Sequence, residues 1–135
     1  MYESLLIGIK PDQDHSDLID VATRAAKPGA KIHLVSLVRV GKEGDEPQRR
    51  QRAIDALDRL AATLNERGFE ATSEVELIGV AAGHELVRIA EERACDLIAL
   101  GLGKRSRVGK ALMGSDAQAT ITTAPCPVLT THLGT

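Results

Sequence analysis

Residues 101–115, GLGKRSRVGKALMGS, join the largely apolar run 96–100, DLIAL, to the beginning of a predicted helix. Glycine has no Cβ, so the backbone of such a segment can approach a ligand closely. A helix that begins near Ser115 presents unpaired N–H groups and the positive end of its dipole. We therefore interpret the segment as an anion-binding loop for a phosphate group. The alternative is that the segment is a solvent-exposed basic loop that connects the strand to the helix and binds no ligand.

Positive charge is concentrated in the same segment. Its basic side chains are Lys104, Arg105, Arg107 and Lys110. The whole chain of 135 residues carries a formal net charge of −2, with both signs spread along it. This balance argues against a surface for nucleic acid or for an anionic membrane. The basic segment is therefore a local feature.

The length and composition predict one domain, residues 1–135, with an aliphatic core. Tyr2 and Phe69 are its only aromatic residues, which leaves almost no rings on which nucleic-acid bases could stack. No apolar stretch is long enough to span a bilayer, and no signal-peptide pattern is present. We expect a cytoplasmic protein that binds neither nucleic acid nor membrane.

The cysteines and histidines form no metal or disulfide pattern. Cys95 and Cys126 stand alone beside apolar runs, so we predict small buried thiols. The four histidines lack the spacing of a metal motif. His84 falls in the first turn of a predicted helix, where a surface or capping role is expected. We assign no metal ligand and no catalytic residue.

Apolar runs and turn residues predict alternating strands and helices. Strands are expected at residues 3–9, 31–40, 69–80, 95–100 and 127–131. A cap at Asp14 or Ser16 begins the first helix, which Pro28-Gly29 ends. The other helices are expected at residues 47–68, 81–93 and 116–123.

Strands that alternate with helices through short connections predict an α/β domain, a parallel sheet with helices on both faces. Ligands bind such sheets outside the carboxyl ends of the strands, where the strand order reverses. Topology thus places residues 101–115 beside the loop after the first strand.

The third strand carries Glu70, Glu74 and Glu76 on one side, which is typical of an edge strand whose charges favour solubility.

Two distant stretches stand at a fixed spacing: Gly101 with Gly114-Ser115, and residues 124–129, APCPVL. In both, the chain resembles the universal stress protein family, and the resemblance covers essentially its whole length. In the nucleotide-binding members a strand ends in glycine. Two residues and a second glycine follow, and after nine more residues comes Gly-Ser or Gly-Thr. The resemblance implies a Rossmann-like, adenine nucleotide alpha hydrolase-like sheet of order 3-2-1-4-5. It also implies a homodimer formed through the last strand.

The resemblance further implies which residues hold ATP, with Mg²⁺ as its counterion. Adenine or ribose would lie against Gly8, Ile9, Leu37 and Leu100, and the phosphates against Gly101, Arg105, Gly114 and Ser115. Lys10 replaces an aspartate of the family, and Lys104 replaces the second glycine, with Gly103 one residue earlier. With lysine at both positions, side chains could hold an anion in place of the backbone N–H groups of a glycine-rich loop. Asp116 replaces a small residue and would repel phosphates unless it caps the helix or helps to hold a cation.

The sequence is compatible with three functions. The first is a stress-response or regulatory protein that binds an adenine nucleotide without dedicated catalysis. The second is a nucleotide-independent dimeric interaction module, favoured by Lys10 and Lys104. The third is a slow ATPase or phosphotransferase, for which the sequence supplies neither a complete Walker A motif nor an evident base or nucleophile.

Overall fold

The computed structural model of the protein describes residues 1–41, 45–79, 84–103 and 114–133. Strands and helices alternate along the chain as β1 (Tyr2–Gly8), α1 (Ser16–Ala25), β2 (Ala26–Arg39), α2 (Glu46–Glu66), β3 (Glu70–Ile78), α3 (Glu85–Glu92), β4 (Leu97–Leu102), α4 (Ser115–Thr123) and β5 (Val128–His132). The strands pair in parallel in the order β3-β2-β1-β4-β5. The expected α/β class and strand order are confirmed.

The central strand, β1, is buried on both faces. Leu5 and Ile7 pack with apolar residues of α1 and α2, whereas Leu6 packs on the other face with residues of α3. Successive side chains of a strand point to opposite faces, so helices on both faces require a continuous apolar run. These three side chains are 0 % exposed, and full burial of one such side chain contributes roughly 1.5–3 kcal/mol.

β2 begins earlier than residue 31, because Pro28-Gly29 does not end α1 as predicted. The helix ends at Ala25, and Ala26 already pairs with β1. The register between the two strands then shifts before Lys31. Pro28 has no N–H to donate, and Gly29 has a φ of +78°. The two residues therefore interrupt the pairing within β2.

The first helix begins at a residue other than those predicted, whereas the second helix begins as expected. His15, rather than Asp14 or Ser16, occupies the N-cap position of α1. Asp14 Oδ1 instead accepts hydrogen bonds from the backbone N–H (2.9 Å) and the hydroxyl (2.7 Å) of Ser16, which fixes the turn before the helix. α2 begins at Glu46, and Pro47 lies in its first turn, as predicted.

β4 begins at Leu97 rather than at residue 95. The Asp96 carboxylate accepts hydrogen bonds from the backbone N–H groups of Glu3 (3.1 Å) and Ser4 (2.9 Å), so Asp96 anchors the start of β1. Within the described part of the chain α3 begins at Glu85, and residues 81–83 of its predicted start lie outside that part.

β3 is an edge strand, as predicted, but two of its glutamates are not simply solvated. Glu74 Oε1 lies 2.6 Å from His33 Nε2, and Glu76 accepts a hydrogen bond from Arg88 at 2.9 Å. Glu70 is exposed. The solubility interpretation is therefore wrong for Glu74 and Glu76, because β2 and α3 bring partners against their side of the strand.

Gly101, near the end of β4, lies against the buried side chain of Leu133. A Cβ built on Gly101 would overlap Cγ and Cδ2 of Leu133 and would lie 2.8 Å from its Cδ1. The Leu133 N–H also donates a hydrogen bond to the Leu102 carbonyl (2.9 Å). Packing of the C-terminal residues therefore requires glycine at position 101, whatever ligand the neighbouring loop binds.

Gly101→Ala is expected to lower the free energy of unfolding by about 1–3 kcal/mol, because the added methyl group overpacks the contact with Leu133. Urea unfolding followed by circular dichroism measures the change. The substitution should cost less in a Leu133→Ala background. Gly79→Ala is the control, since among the described residues a Cβ there meets no atom within 4 Å. An equal cost in both backgrounds would contradict the overlap.

Candidate functional site

A cavity of about 230 Å³ opens at the carboxyl ends of β1, β2 and β4, and we call it the carboxyl-end cavity. β2 and β4 flank β1 on opposite sides, so the strand order reverses at this point. Its lining comes from three strand ends, the β1–α1 connection and the starts of α3 and α4: Gly8, Ile9, Lys10, His15, Val35, Leu37, Arg39, Leu86, Leu100, Gly101, Leu102, Gly103, Gly114, Asp116 and Ala117.

Part of the cavity is an aliphatic slot. Leu37, Leu86 and Leu100 supply apolar surface. Gly8 keeps the slot open, because a Cβ there would lie 3.0 Å from Leu100 Cδ2 and 3.6 Å from Leu86 Cδ1. Apolar walls with a few polar groups are typical of sites that bind small organic ligands. The slot therefore has the chemistry to accept a flat heterocycle.

An ion pair joins the end of β2 to the first turn of α4. Arg39 Nη2 lies 3.0 Å from Asp116 Oδ2, and each side chain is 35 % exposed. The positive end of the α4 dipole also favours a carboxylate in this turn. Arg39, which the sequence analysis did not single out, therefore offsets the charge of Asp116. The expected repulsion between Asp116 and a phosphate is reduced accordingly.

His15 holds the β1–α1 connection at the rim of the cavity. The side chain is buried, and its Nε2 accepts a hydrogen bond from the Lys10 backbone N–H (3.0 Å). Its Nδ1 lies 3.0 Å from the Gln13 carbonyl oxygen, to which it donates. Burial lowers the pKa of His15, so the ring is neutral at pH 7. The neutral ring can donate and accept one hydrogen bond each, as this loop requires.

Nine of the twelve residues predicted for the site line the cavity: Gly8, Ile9, Lys10, Leu37, Leu100, Gly101, Gly103, Gly114 and Asp116. Ser115 is the first residue of α4. Lys104 and Arg105 lie outside the described residues. Gly114 occupies the N-cap position of α4, and a Cβ there would meet no atom of the described residues within 4 Å. Within that part of the chain, space is open beside the start of this helix.

Six lining residues were not predicted from the sequence: His15, Val35, Arg39, Leu86, Leu102 and Ala117. The position of Arg39 is a usable signal, because it ends the strand that pairs with β1 at the edge where the order reverses. His15 similarly stands in the connection directly after β1. The apolar residues carry no signal of their own, since the same side chains also build the core.

Two kinds of feature are absent from the ranges that the structure describes. No group of three or more His, Cys, Asp or Glu side chains is placed there to hold a metal ion. No helix in those ranges has both the length and the hydropathy needed to cross a membrane. Cys95 and Cys126 are free thiols, of which Cys95 is buried and Cys126 is half-buried.

A model of the universal stress protein family matches residues 1–132, which span β1 to β5. The chain belongs to the universal stress protein family. The resemblance carried by Gly101, Gly114-Ser115 and the APCPVL stretch is thereby confirmed.

Relatives in the family share sequence or fold with this chain. The universal stress protein Slr1230 of Synechocystis sp. is 34 % identical over 99 residues, which are 73 % of this chain and 31 % of that relative, so the chain spans less than a third of its length. The universal stress protein from Archaeoglobus fulgidus in complex with dAMP has a TM-score of 0.65 at 18 % identity, over 96 % of this chain and 97 % of that one. A universal stress protein in complex with cAMP has a TM-score of 0.64 at 20 % identity, over 97 % of both chains.

The free energy of unfolding is expected to decrease as the pH falls below about 6.5, because His15 must stay neutral in the folded state. Burial lowers its folded pKa below the ordinary value of 6.5, so the unfolded chain binds more protons in this range. The contribution of His15 is complete above the ordinary pKa and is lost as the pH falls through the folded pKa. Urea unfolding at about pH 7.5 and about pH 5.5 measures the difference.

His15→Gln should reduce this pH dependence, since glutamine can accept the Lys10 hydrogen bond but does not titrate. His33, whose pKa burial also lowers, keeps its own contribution in this variant. His84→Gln, at an exposed histidine, is the control and should behave as the parent chain does. A pH dependence that is undiminished in His15→Gln would show that His15 is not its source.

Proposed function

We propose that the carboxyl-end cavity binds an adenine nucleotide and that the chain is a stress-response protein whose bound nucleotide alters its conformation or its choice of partner. The observation that carries this proposal is one cavity that combines an aliphatic slot, the glycine N-cap of α4 and the Arg39 side chain. Structures of two family members in complex with dAMP and cAMP support the same class of ligand.

The base and the ribose would occupy the aliphatic slot. Ile9, Leu37 and Leu100 offer apolar surface, and Gly8 leaves the width for a planar ring. Apolar contact of this kind supplies most of the binding surface of a small ligand, while a few polar groups fix its orientation. With the base and the ribose in the aliphatic slot, the phosphates would point toward the start of α4.

The phosphates would lie at the start of α4. The first N–H groups of a helix have no partner within the helix, and the dipole favours an anion there. A Cβ on Gly114 would meet no atom of the described residues within 4 Å, Lys10 adds positive charge along the same cavity, and Arg39 offsets the charge of Asp116. We extend the proposal to ATP with Mg²⁺, in which the phosphate side is completed by Gly101, Gly103, Lys104, Arg105 and Ser115.

The proposed role is binding without dedicated catalysis. In the described lining, Asp116 is paired with Arg39, and both ring nitrogens of His15 are bonded to the backbone. A general base needs a free acceptor within reach of the proton that it abstracts; His15 offers none, and Asp116 is held against the Arg39 guanidinium. A cytoplasmic location accompanies the proposal, because adenine nucleotides are available there.

Gly114→Val is expected to weaken ATP binding at least about tenfold, equivalent to about 1.4 kcal/mol, because the side chain fills the space beside the α4 N-terminus. Ser115→Ala should weaken it as well. Isothermal titration calorimetry with ATP and Mg²⁺ measures the affinity, and mass spectrometry of gently purified protein detects retained nucleotide. Gly79→Val is the control, since among the described residues its Cβ also meets no atom within 4 Å and Gly79 does not line the cavity.

Unchanged affinity in Gly114→Val would place the nucleotide elsewhere on the chain. A protein that retains no nucleotide and binds none at millimolar ATP would exclude the nucleotide proposal itself. Weakened binding in Gly79→Val to the same degree would show that the effect of Gly114→Val is not local.

We also propose a homodimer formed through β5. The Ile98 N–H donates to the Pro127 carbonyl and the Leu133 N–H to the Leu102 carbonyl, so the odd-numbered residues of β5 bond to β4. Alternate residues of a strand direct their backbone groups to opposite sides, which leaves at the outer edge the groups of Val128, Thr130 and His132. An unpaired edge is a template for another strand, and a two-fold axis would bring β5 of a second copy against it.

Thr130→Pro is expected to convert the dimer to a monomer, because proline removes an outward N–H without removing a hydrogen bond to β4. Light scattering of the parent chain and the variant measures the mass. Thr130→Ala keeps the N–H and should stay dimeric. A monomeric parent chain would exclude the dimer. A dimeric chain that binds no nucleotide would favour the second candidate function, the nucleotide-independent interaction module.

A further inference from the structure

A second cluster of polar side chains lies toward the amino ends of the strands, away from the carboxyl-end cavity. β2 and β3 pair in parallel with His33 opposite Thr72, and Glu74 follows two residues later on the same face. His33 Nδ1 lies 2.6 Å from Thr72 Oγ1, and His33 Nε2 lies 2.6 Å from Glu74 Oε1. The imidazole therefore bridges a hydroxyl group and a carboxylate.

Protonation decides which atom donates in each of these hydrogen bonds. Burial opposes ionisation of Glu74, but the hydrogen bond from His33 leaves the pKa of Glu74 below its ordinary value, so the carboxylate only accepts. Burial lowers the pKa of His33, so the neutral ring carries one N–H. That N–H lies on Nε2 and donates to Glu74, and Nδ1 then accepts the Thr72 hydroxyl proton.

The three side chains differ in exposure. Thr72 is exposed, the Glu74 side chain is 32 % exposed and His33 is 3 % exposed. A cavity of about 340 Å³, which we call the amino-end cavity, is lined by both Thr72 and His33. An accessible hydroxyl backed by a buried neutral imidazole, which a carboxylate orients, is the arrangement that activates a nucleophile.

We propose that Thr72 is a nucleophile that accepts the acyl group of small carboxylic esters, with His33 as its general base and Glu74 as the residue that positions the imidazole. Lys31, Arg93 and Glu70 line the same cavity, and Arg93 Nε lies 3.9 Å from Glu74 Oε1. The charges of the lining therefore partly offset one another, and Lys31 is the cation that would stabilise a developing oxyanion. The activity is independent of the nucleotide proposal, because the two cavities share no lining residue.

Acyl transfer proceeds in two balanced halves. A lone pair of Thr72 Oγ1 attacks the ester carbonyl carbon while His33 Nδ1 takes the hydroxyl proton, and the carbonyl π pair moves onto its oxygen. When that pair returns, the ester C–O bond breaks and the Nδ1 proton passes to the departing alkoxide, which leaves as an alcohol. Water then attacks the acyl-Thr72 carbonyl in the same way, so that the carboxylic acid is released and Thr72 is restored.

Incubation of the full chain with 4-nitrophenyl acetate is expected to release 4-nitrophenol and to acetylate Thr72. Absorbance follows the release, and peptide mass spectrometry locates the acetyl group. Thr72→Val should abolish the adduct and slow the release at least about tenfold. Thr63→Val is the matched control, because Thr63 is exposed on α2 and its hydroxyl donates to the Arg59 carbonyl rather than to an imidazole. Its rate should equal that of the parent chain.

Glu74→Gln tests the positioning role, since it keeps the size of the side chain and removes its charge. It should lower kcat at least about tenfold with KM unchanged, because the imidazolium that forms loses its partner. Thr72→Ser keeps a hydroxyl group and should retain the adduct, which covers the case in which Thr72→Val does not fold. Acetylation of Lys31 or Cys95 in place of Thr72, equal rates in Thr72→Val and Thr63→Val, or no turnover at all would overturn the proposal.

Discussion

Burial of β1 between two neighbouring strands and two layers of helices is the constraint on which the rest of the structure depends. β2 pairs with one edge of β1 and β4 with the other, and helices cover both faces. The chain therefore adds β2 and β3 on one side and then returns to add β4 and β5 on the other. The connections after β1 and β4 run in different directions, and the carboxyl-end cavity opens between them. Its position is thus a consequence of strand order.

The sequence was sufficient for the fold because its signals are local. The run at residues 5–7 is apolar without a break, which is compatible with a strand only when both faces are covered. The spacing of Gly101, Gly114 and Ser115, together with the APCPVL stretch, was likewise sufficient for the family. Strand ends were less well predicted, because they depend on single contacts such as the one between Asp96 and the start of β1.

The polar contacts of the site were not predictable, because they join residues that are distant in the chain. Arg39 and Asp116 are 77 positions apart and meet only because β2 ends near the start of α4. His33 and Glu74 meet because β2 and β3 pair in one particular register. A shift of that register by one residue would turn Glu74 to the other face of the sheet. Patterns within a segment carry no information about such a register.

The contact between Gly101 and Leu133 has a consequence for communication across the molecule. Leu102 lines the carboxyl-end cavity and also accepts the hydrogen bond from Leu133, which follows β5, the last strand of the described sheet. If the proposed ligand and a second copy at β5 each act on this contact, their binding is linked. The linkage is then reciprocal, so each changes the affinity of the other by the same factor.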